Sequence, residues 1–350
     1  MGLNIGQILG GQNVEIADTA LNQHIIISGM SGSGKTVKAQ AIELYLAQHG
    51  YPVLVFNYHN THDPTQIFPD IRREYLNLAQ SINMYSTGVP ISLLEPLTYP
   101  DGEVELAADV AGSVVSVFDD VCRLGSSQMA RLWRAIEVAI KCKDHFVNDI
   151  EAIEYGLRQQ EDPVADTVWQ KYWQLFSHGI FKDGSGLFYP GQVTVCDLSQ
   201  FNKLSQTAMT ELILSCIWRR AMVQFTKEPV YIVCDECQVL NWKKNSILPQ
   251  MLREGRKFNI NLILATQTYQ TFSKEQRAIL QQAGTKLYFA PSGAEIIGIA
   301  AHLDKEKQRL WIEKLSRLRT GQCIAEGRFK VGEYTVEKPL ILSEDLGNNG

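Results

Sequence analysis

The stretch Ile25-Ile26-Ile27-Ser28-Gly29-Met30-Ser31-Gly32-Ser33-Gly34-Lys35-Thr36 decides how this chain folds. Three successive isoleucines, with His24 before them, read as a strand buried on both faces, and the run from Lys35 to His49, closing near Gly50, reads as an amphipathic helix. Between them, Gly29, Gly32 and Gly34 let the backbone curl so that successive N–H groups point inward at phosphate oxygens, and the positive end of the helix adds to the attraction. Lys35 contributes a mobile positive charge and Thr36 a hydroxyl suited to Mg2+. The expected nucleotide-binding residues are therefore Gly29, Ser31, Gly32, Ser33, Gly34, Lys35 and Thr36, with ATP and Mg2+ as cofactors. A second strand from Pro52 to Phe56 completes a βαβ unit around the loop.

Working outward, further apolar runs read as strands at Val193 to Leu198, Val230 to Cys234, Leu262 to Ala265 and Lys286 to Ala290, with helices Gln206 to Gln224 and Ile247 to Lys257 between them. This alternation predicts an α/β fold with a mostly parallel central sheet flanked by helices. From Val104 to Lys143 the spacing of Leu132, Trp133, Ile136 and Ile140 is helical, and helices continue from Phe146 to Phe176 with a break near Pro163. That segment, about 104–190, is expected to be a helical insertion. Short β-like runs at Cys323-Ile324-Ala325 and Tyr334-Thr335-Val336 suggest an edge hairpin. With no internal repeat and no composition break, a single domain is expected over 1–342, followed by a polar, disordered tail over 343–350.

Composition narrows the function. The chain has 350 residues, 45% of them apolar, enough for a full core. No apolar run approaches the roughly 20 residues that span a bilayer, so a soluble, cytoplasmic protein without membrane insertion is expected. The seven cysteines are odd in number and scattered in apolar contexts, which suits reduced, packed thiols. Cys234 and Cys237 form a C-x-x-C without a second pair to complete a zinc site. His59, His62 and Asp63 read as ordinary loop residues rather than metal ligands. A net charge of −5 argues against an overall basic, DNA-coating surface, while leaving two locally basic segments, Trp242 to Lys257 and Lys305 to Arg319.

The second chemical motif is Val230-Tyr231-Ile232-Val233-Cys234-Asp235-Glu236, an apolar strand whose carboxyl end delivers two acids. Side chains alternate along a strand, so adjacent acids take different directions and different roles: Asp235 for the Mg2+ shell, Glu236 to polarise the attacking water. Further on, Leu252 to Gln267 reads as a basic helix end and then a buried strand, ending in a polar residue where ligands of parallel sheets bind. Gln267 is placed to sense the γ-phosphate or hold the water. Arg253 and Arg256 suit either of two roles: reaching the ATP of a neighbouring subunit, where a guanidinium stabilises transition-state charge, or a charge interaction with the carboxyl end of their own helix.

Together, Gly29 to Thr36, the strand ending Asp235-Glu236-Cys237-Gln238, and Leu252 to Gln267 resemble the HerA and FtsK superfamily of ring-forming P-loop ATPases. His24, the phrase Arg253-Glu254-Gly255-Arg256-Lys257-Phe258, and Ala265-Thr266-Gln267 make the likeness to HerA-type proteins closer. The resemblance implies a RecA-like core, a hexameric ring of identical subunits with ATP between them, and DNA held in the central channel. It gives Lys35 and Thr36 nucleotide roles, Asp235 and Glu236 metal and water roles, and Gln267 a sensor role, with Arg253 and Arg256 as candidate fingers. Two departures stand out. Only about two dozen residues precede the phosphate loop, where HerA proteins carry a β-barrel that docks nucleases; and Asn57-Tyr58-His59-Asn60 stands where the family tends to place an acid. The expected function is an ATP-hydrolysing DNA translocase. The alternative is an ATPase scaffold that assembles a partner nuclease or other effector, as in anti-phage defence. A P-loop kinase fits less well, because Asp235-Glu236 suits the activation of water.

Overall fold

The structure is a computed structural model describing residues 2–8, 11–177, 181–184, 186–224 and 228–343, and every structural statement here concerns those residues. Strands β1 (Asn4–Ile8) and β2 (Asn13–Ile16) precede β3 (Ile25–Ser28), α1 (Lys35–Gln48) and β4 (Val53–Asn57), after which α2 (Pro69–Leu78) leads into β5 (Ala79–Asn83). The helices α3 (Ala107–Cys122), α4 (Ser126–Cys142), α5 (Asp149–Arg158) and α6 (Pro163–Ser177) separate β5 from β6 (Val193–Asp197). Next come α7 (Lys203–Gln224), β7 (Val230–Cys234), α8 (Ile247–Glu254), β8 (Ile260–Thr266), α9 (Lys274–Leu280) and β9 (Thr285–Phe289). The chain closes with α10 (Gly293–Leu303), α11 (Gln308–Ser316), β10 (Gln322–Glu326), β11 (Phe329–Val331), β12 (Tyr334–Val336) and β13 (Leu340–Ser343).

Alternation along the central strands splits the interior into two cores. Ile25, Ile27, Val53, Val55, Tyr231, Val233, Ile263 and Ala265 face α1 in one buried cluster. Their neighbours Ile26, Leu54, Phe56, Ile232, Cys234, Leu262 and Leu264 face the opposite cluster, with the insertion helices, α7 and α8. A strand covered on both faces can afford no polar side, which is why these segments read as uninterrupted apolar runs.

The sheet has 13 strands in the order β12-β11-β2-β1-β13-β10-β9-β3-β8-β7-β4-β6-β5. From β9 to β5 neighbouring strands are parallel, the mostly parallel core expected from the sequence. From β10 to β12 they are antiparallel. This antiparallel half corrects the edge-hairpin expectation. Cys323-Ile324-Ala325 lies in the interior of the sheet, flanked by β9 and β13, and the edge hairpin is β11–β12. The N-terminal strands pair with the last part of the chain, β1 with β13 and β2 with β11. Of the tail, Ser343 closes β13 and 344–350 lie outside the described residues.

The insertion is helical as expected, but α3 and α4 are separated by a turn in which Arg123 takes the left-handed conformation, φ 52°. A buried carboxylate fastens the insertion to the core: Asp149, at the start of α5, accepts from Ser92 Oγ at 2.8 Å and from the Leu93 amide at 2.6 Å. No described helix is long and apolar enough to cross a membrane.

Candidate nucleotide site

The strand order decides which loops meet. In the sequence β9-β3-β8-β7, the strand before the phosphate loop and the strand ending in Asp235 are separated only by β8, whose carboxyl end carries Gln267. All of these strands are parallel, so the three segments emerge at one end of the sheet, where a crevice forms for ligands.

The phosphate loop is strapped to its surroundings through its backbone. The Met30 amide donates to the Ala290 carbonyl at 2.9 Å, and the Gly321 amide donates to the Ser33 carbonyl at 3.0 Å. This crowding dictates glycine. A Cβ on Gly29, at φ 150°, would lie 2.7 Å from Phe289 Cβ, and one on Gly34, at φ 109°, would lie 3.1 Å from Gly321 Cα. Gly34 caps α1 in the left-handed conformation, and no side chain caps the first amides of that helix, which leaves them facing outward as donors for an anion. Lys35 is only 7% exposed and donates from Nζ to the Met30 carbonyl at 2.9 Å. Burial pulls its pKa down, while Asp235 and Glu236 pull it back up, so the ammonium sits within the field of both acids.

Those acids are held with care. Glu236 adopts φ 56° and ψ 42°, a left-handed conformation that costs a non-glycine residue on the order of 1 kcal/mol. Gln267 Nε2 donates to Glu236 Oε1 at 2.5 Å, and Gln238 Nε2 donates to Oε2. Burial, then the negative charge of Glu236, raises the pKa of Asp235, although the Glu236 amide donates to Asp235 Oδ1 at 2.9 Å. This half-buried pair of carboxylates is a ready recipient for a divalent cation. Thr36 and Asp235 offer the hard oxygen atoms that Mg2+ prefers. When bound, the metal would neutralise phosphate charge; Lys35 would hold the phosphates and Glu236 would take the proton of an aligned water.

The structure brings together the phosphate loop, Asp235, Glu236 and Gln267. It keeps Arg253 and Arg256 away from them. Arg253 lies at the carboxyl end of α8 and Arg256 in the turn that follows, both leading into the amino end of β8, whereas Gln267 follows its carboxyl end. Arg253 donates to the Lys244 carbonyl at 2.7 Å and Arg256 to the Leu21 carbonyl at 2.7 Å. His24 and the phrase around Gly255 prove to be in contact. His24 Nδ1 accepts from the Leu262 amide at 3.0 Å, and a Cβ on Gly255 would lie 3.2 Å from the His24 ring and 2.8 Å from the Ile260 carbonyl.

Two site features escaped the sequence. Gln238 was visible in the motif but carried no signal that its amide would cap Glu236. Glu211 on α7 is the other: nearly fully buried, it accepts from the Asn241 amide at 2.9 Å and so anchors the loop that follows Gln238. Burial, moderated by that hydrogen bond and reinforced by Asp120, raises its pKa from 4.5 to about 7. In that interval the folded chain keeps a proton that the unfolded chain has lost. Stability therefore falls as pH rises through the window, by about 1.4 kcal/mol per pH unit for this one group. Glu211→Gln preserves the acceptor and is expected to flatten that slope, so that the variant outlasts the wild type in urea at about pH 8. Identical denaturation midpoints for the two proteins at about pH 5.5 and pH 8 would refute the buried-acid account.

The family described as an AAA-like domain matches residues 5–335. The DNA double-strand break repair helicase HerA of Sulfolobus acidocaldarius is 23% identical over 364 residues, covering 98% of this chain and 69% of the relative. Among solved structures, VirB4 of Thermoanaerobacter pseudethanolicus superposes with a TM-score of 0.71 at 16% identity, covering 99% of this chain and 97% of its own. The bacterial conjugative coupling protein TrwB, in its ΔN70 form, gives 0.63 at 10% identity, covering 99% and 89%. A TrwB complex with ADP and Mg2+ gives 0.59 at 9% identity, covering 93% and 86%.

Proposed function

The chain belongs to the AAA-like domain family, and on that premise we propose that it is an ATP-hydrolysing motor that assembles as a ring of identical subunits and translocates DNA. ATP lies on Gly29 to Thr36, Mg2+ is held by Thr36 and Asp235, Glu236 activates the water and Gln267 reports the γ-phosphate. The observation that carries this reading is the grip on Glu236, pinned by Gln267 and Gln238 beside Asp235 and within the field of Lys35. A carboxylate fixed in this way can accept the proton of a water attacking the γ-phosphate. The similarity to the DNA double-strand break repair helicase HerA supports DNA as the substrate; a cytoplasmic location and a nuclease or other effector as a further partner complete the proposal.

Duplex and single-stranded DNA are expected to stimulate ATP turnover, with the stimulation fading as salt rises, since phosphate contacts release counterions. Turnover indifferent to DNA even at low salt would sink the motor reading and leave an ATPase scaffold.

The position of Arg253 and Arg256 supplies a test of the ring. Arginines at the amino end of β8, away from their own phosphate loop, are candidates to serve a neighbour's site. Arg256→Ala, or Arg253→Ala if that is the finger, and Lys35→Ala should each be inactive alone. Mixed one to one, they should recover activity in about a quarter of sites, those pairing an intact lysine with an intact arginine from next door. No recovery at any mixing ratio, for either arginine, would place the finger elsewhere.

A further inference from the structure

Behind the nucleotide site lies a buried polar chain whose residues have no role in the chemistry above. Glu43, on α1, is fully buried and accepts from Tyr75 Oη at 2.5 Å and from His62 Nε2 at 3.0 Å. On the other side of the ring, His62 Nδ1 lies 3.1 Å from Thr61 Oγ1, which itself donates to Asn57 Oδ1 at 3.3 Å. With the Thr61 hydroxyl donating to Asn57, its oxygen is open to Nδ1 of His62, while Nε2 faces the Glu43 carboxylate. Burial alone would lower the pKa of the imidazole, but Glu43 against Nε2, with Asp235 beyond, more than offsets this and raises it.

The chain joins two elements of interest. Thr36, Gln40 and Glu43 fall at i, i+4 and i+7 along one side of α1, and Gln40 clamps the same loop, donating to the Thr61 carbonyl at 2.9 Å and accepting from the Phe68 amide at 3.1 Å. At its far end, Asn57 closes β4, which pairs with β7 in the register Phe56↔Cys234, so Asn57 and Asp235 are the next residues along on neighbouring strands. The network thus links α1, which carries Thr36 in its first turn, with the strand end that leads into Asp235.

We propose that His62 is a positioning residue of the nucleotide site: held by Glu43 and acting through Thr61, it fixes Asn57 beside Asp235 and so sets the spacing of the two oxygen donors, Thr36 and Asp235, that take Mg2+. The inference rests on the ATPase reading of that site. Partners that orient metal ligands from behind commonly matter by 10- to 100-fold, and roughly tenfold is the effect expected here.

The test is an Mg2+ titration of ATP turnover, and of the affinity for a fluorescent ATP analogue, on wild type, His62→Gln, Thr61→Val and Thr61→Ser. Thr61→Val leaves the His62–Glu43 contact in place and removes the one hydroxyl that joins His62 to Asn57, so it covers the case in which His62→Gln fails to fold. His62→Gln and Thr61→Val should lower kcat about tenfold and raise the Mg2+ needed for half-maximal turnover by a similar factor. Analogue affinity at saturating Mg2+ should stay within about threefold of wild type, and Thr61→Ser should behave as wild type. A folded Thr61→Val with unaltered Mg2+ dependence overturns the proposal, as does an equal loss in Thr61→Ser. A wild type that binds the analogue without hydrolysing ATP defeats the functional reading instead, and the relay is then decided by the Mg2+ dependence of binding.

Discussion

Glu236→Gln is expected to lower kcat for ATP hydrolysis by at least about 100-fold while leaving ATP bound. The substitution keeps the shape of the side chain and its left-handed backbone, and its carbonyl oxygen can still accept from Gln267 or Gln238. It removes the carboxylate that takes the proton from water. It also removes the nearest negative charge acting on Asp235, which after burial is the largest cause of that group's raised pKa. Asp235 should then ionise more readily, and Mg2+ with ATP should bind at least as tightly as in wild type. A ring closed by ATP between subunits would be trapped, because nothing in the variant discharges the nucleotide. Native mass measurement with saturating ATP should show the assembly persisting in Glu236→Gln and decaying in wild type as ATP is consumed. Turnover within about tenfold of wild type would dismiss Glu236 as the base, and a strictly monomeric variant would dismiss the ring.

The parts of this site that could be read from sequence are those encoded by contiguous residues. Gly29 to Thr36 declares itself because glycine spacing, lysine and hydroxyl are local requirements of one loop. Asp235 and Glu236 declare themselves because a buried strand must end before charge appears. Contacts between distant segments leave no such trace. His62 looked like an ordinary loop histidine, since its partners Glu43 and Tyr75 come from two helices and the spacing of neither announces an inward carboxylate or phenol. The antiparallel half of the sheet was hidden for the same reason: β1 needs β13 beside it, and Cys323-Ile324-Ala325 looked like an edge because its second neighbour lies beyond the hairpin β11–β12. β5 escaped because an edge strand with the sequence Ala-Gln-Ser-Ile-Asn has no apolar pattern to display. Arg253 and Arg256 were legible as candidates, but the end of the sheet they occupy follows only from the parallel register of β8 with β3 and β7.

Lys35→Ala should give the opposite signature from Glu236→Gln, with binding lost as well as turnover. Lys35 is a buried cation whose Nζ bonds to a carbonyl of its own loop, within the field of two carboxylates. Phosphates entering the loop meet the amides of Gly29 to Thr36, but they also meet the negative field of Asp235 and Glu236, and Lys35 is the cation placed to offset it. Without it, ATP affinity is expected to fall by about 100-fold or more, since an anion must then enter an acidic crevice uncompensated. The effect can be read without any enzymatic assay. ATP at about 100 times its dissociation constant adds about 2.7 kcal/mol to the stability of wild type, and the variant under the same conditions should gain almost nothing. Stability without nucleotide should change far less, because losing a hydrogen bond to Met30 is set against sparing the burial of an ammonium. Lys35→Arg sharpens the result: it keeps the charge but presents a planar fork where a compact ammonium sits, and it should bind ATP weakly and turn it over poorly. If Lys35→Ala were stabilised by ATP as strongly as wild type, the phosphate loop would not be the nucleotide site, whatever Glu236→Gln had shown.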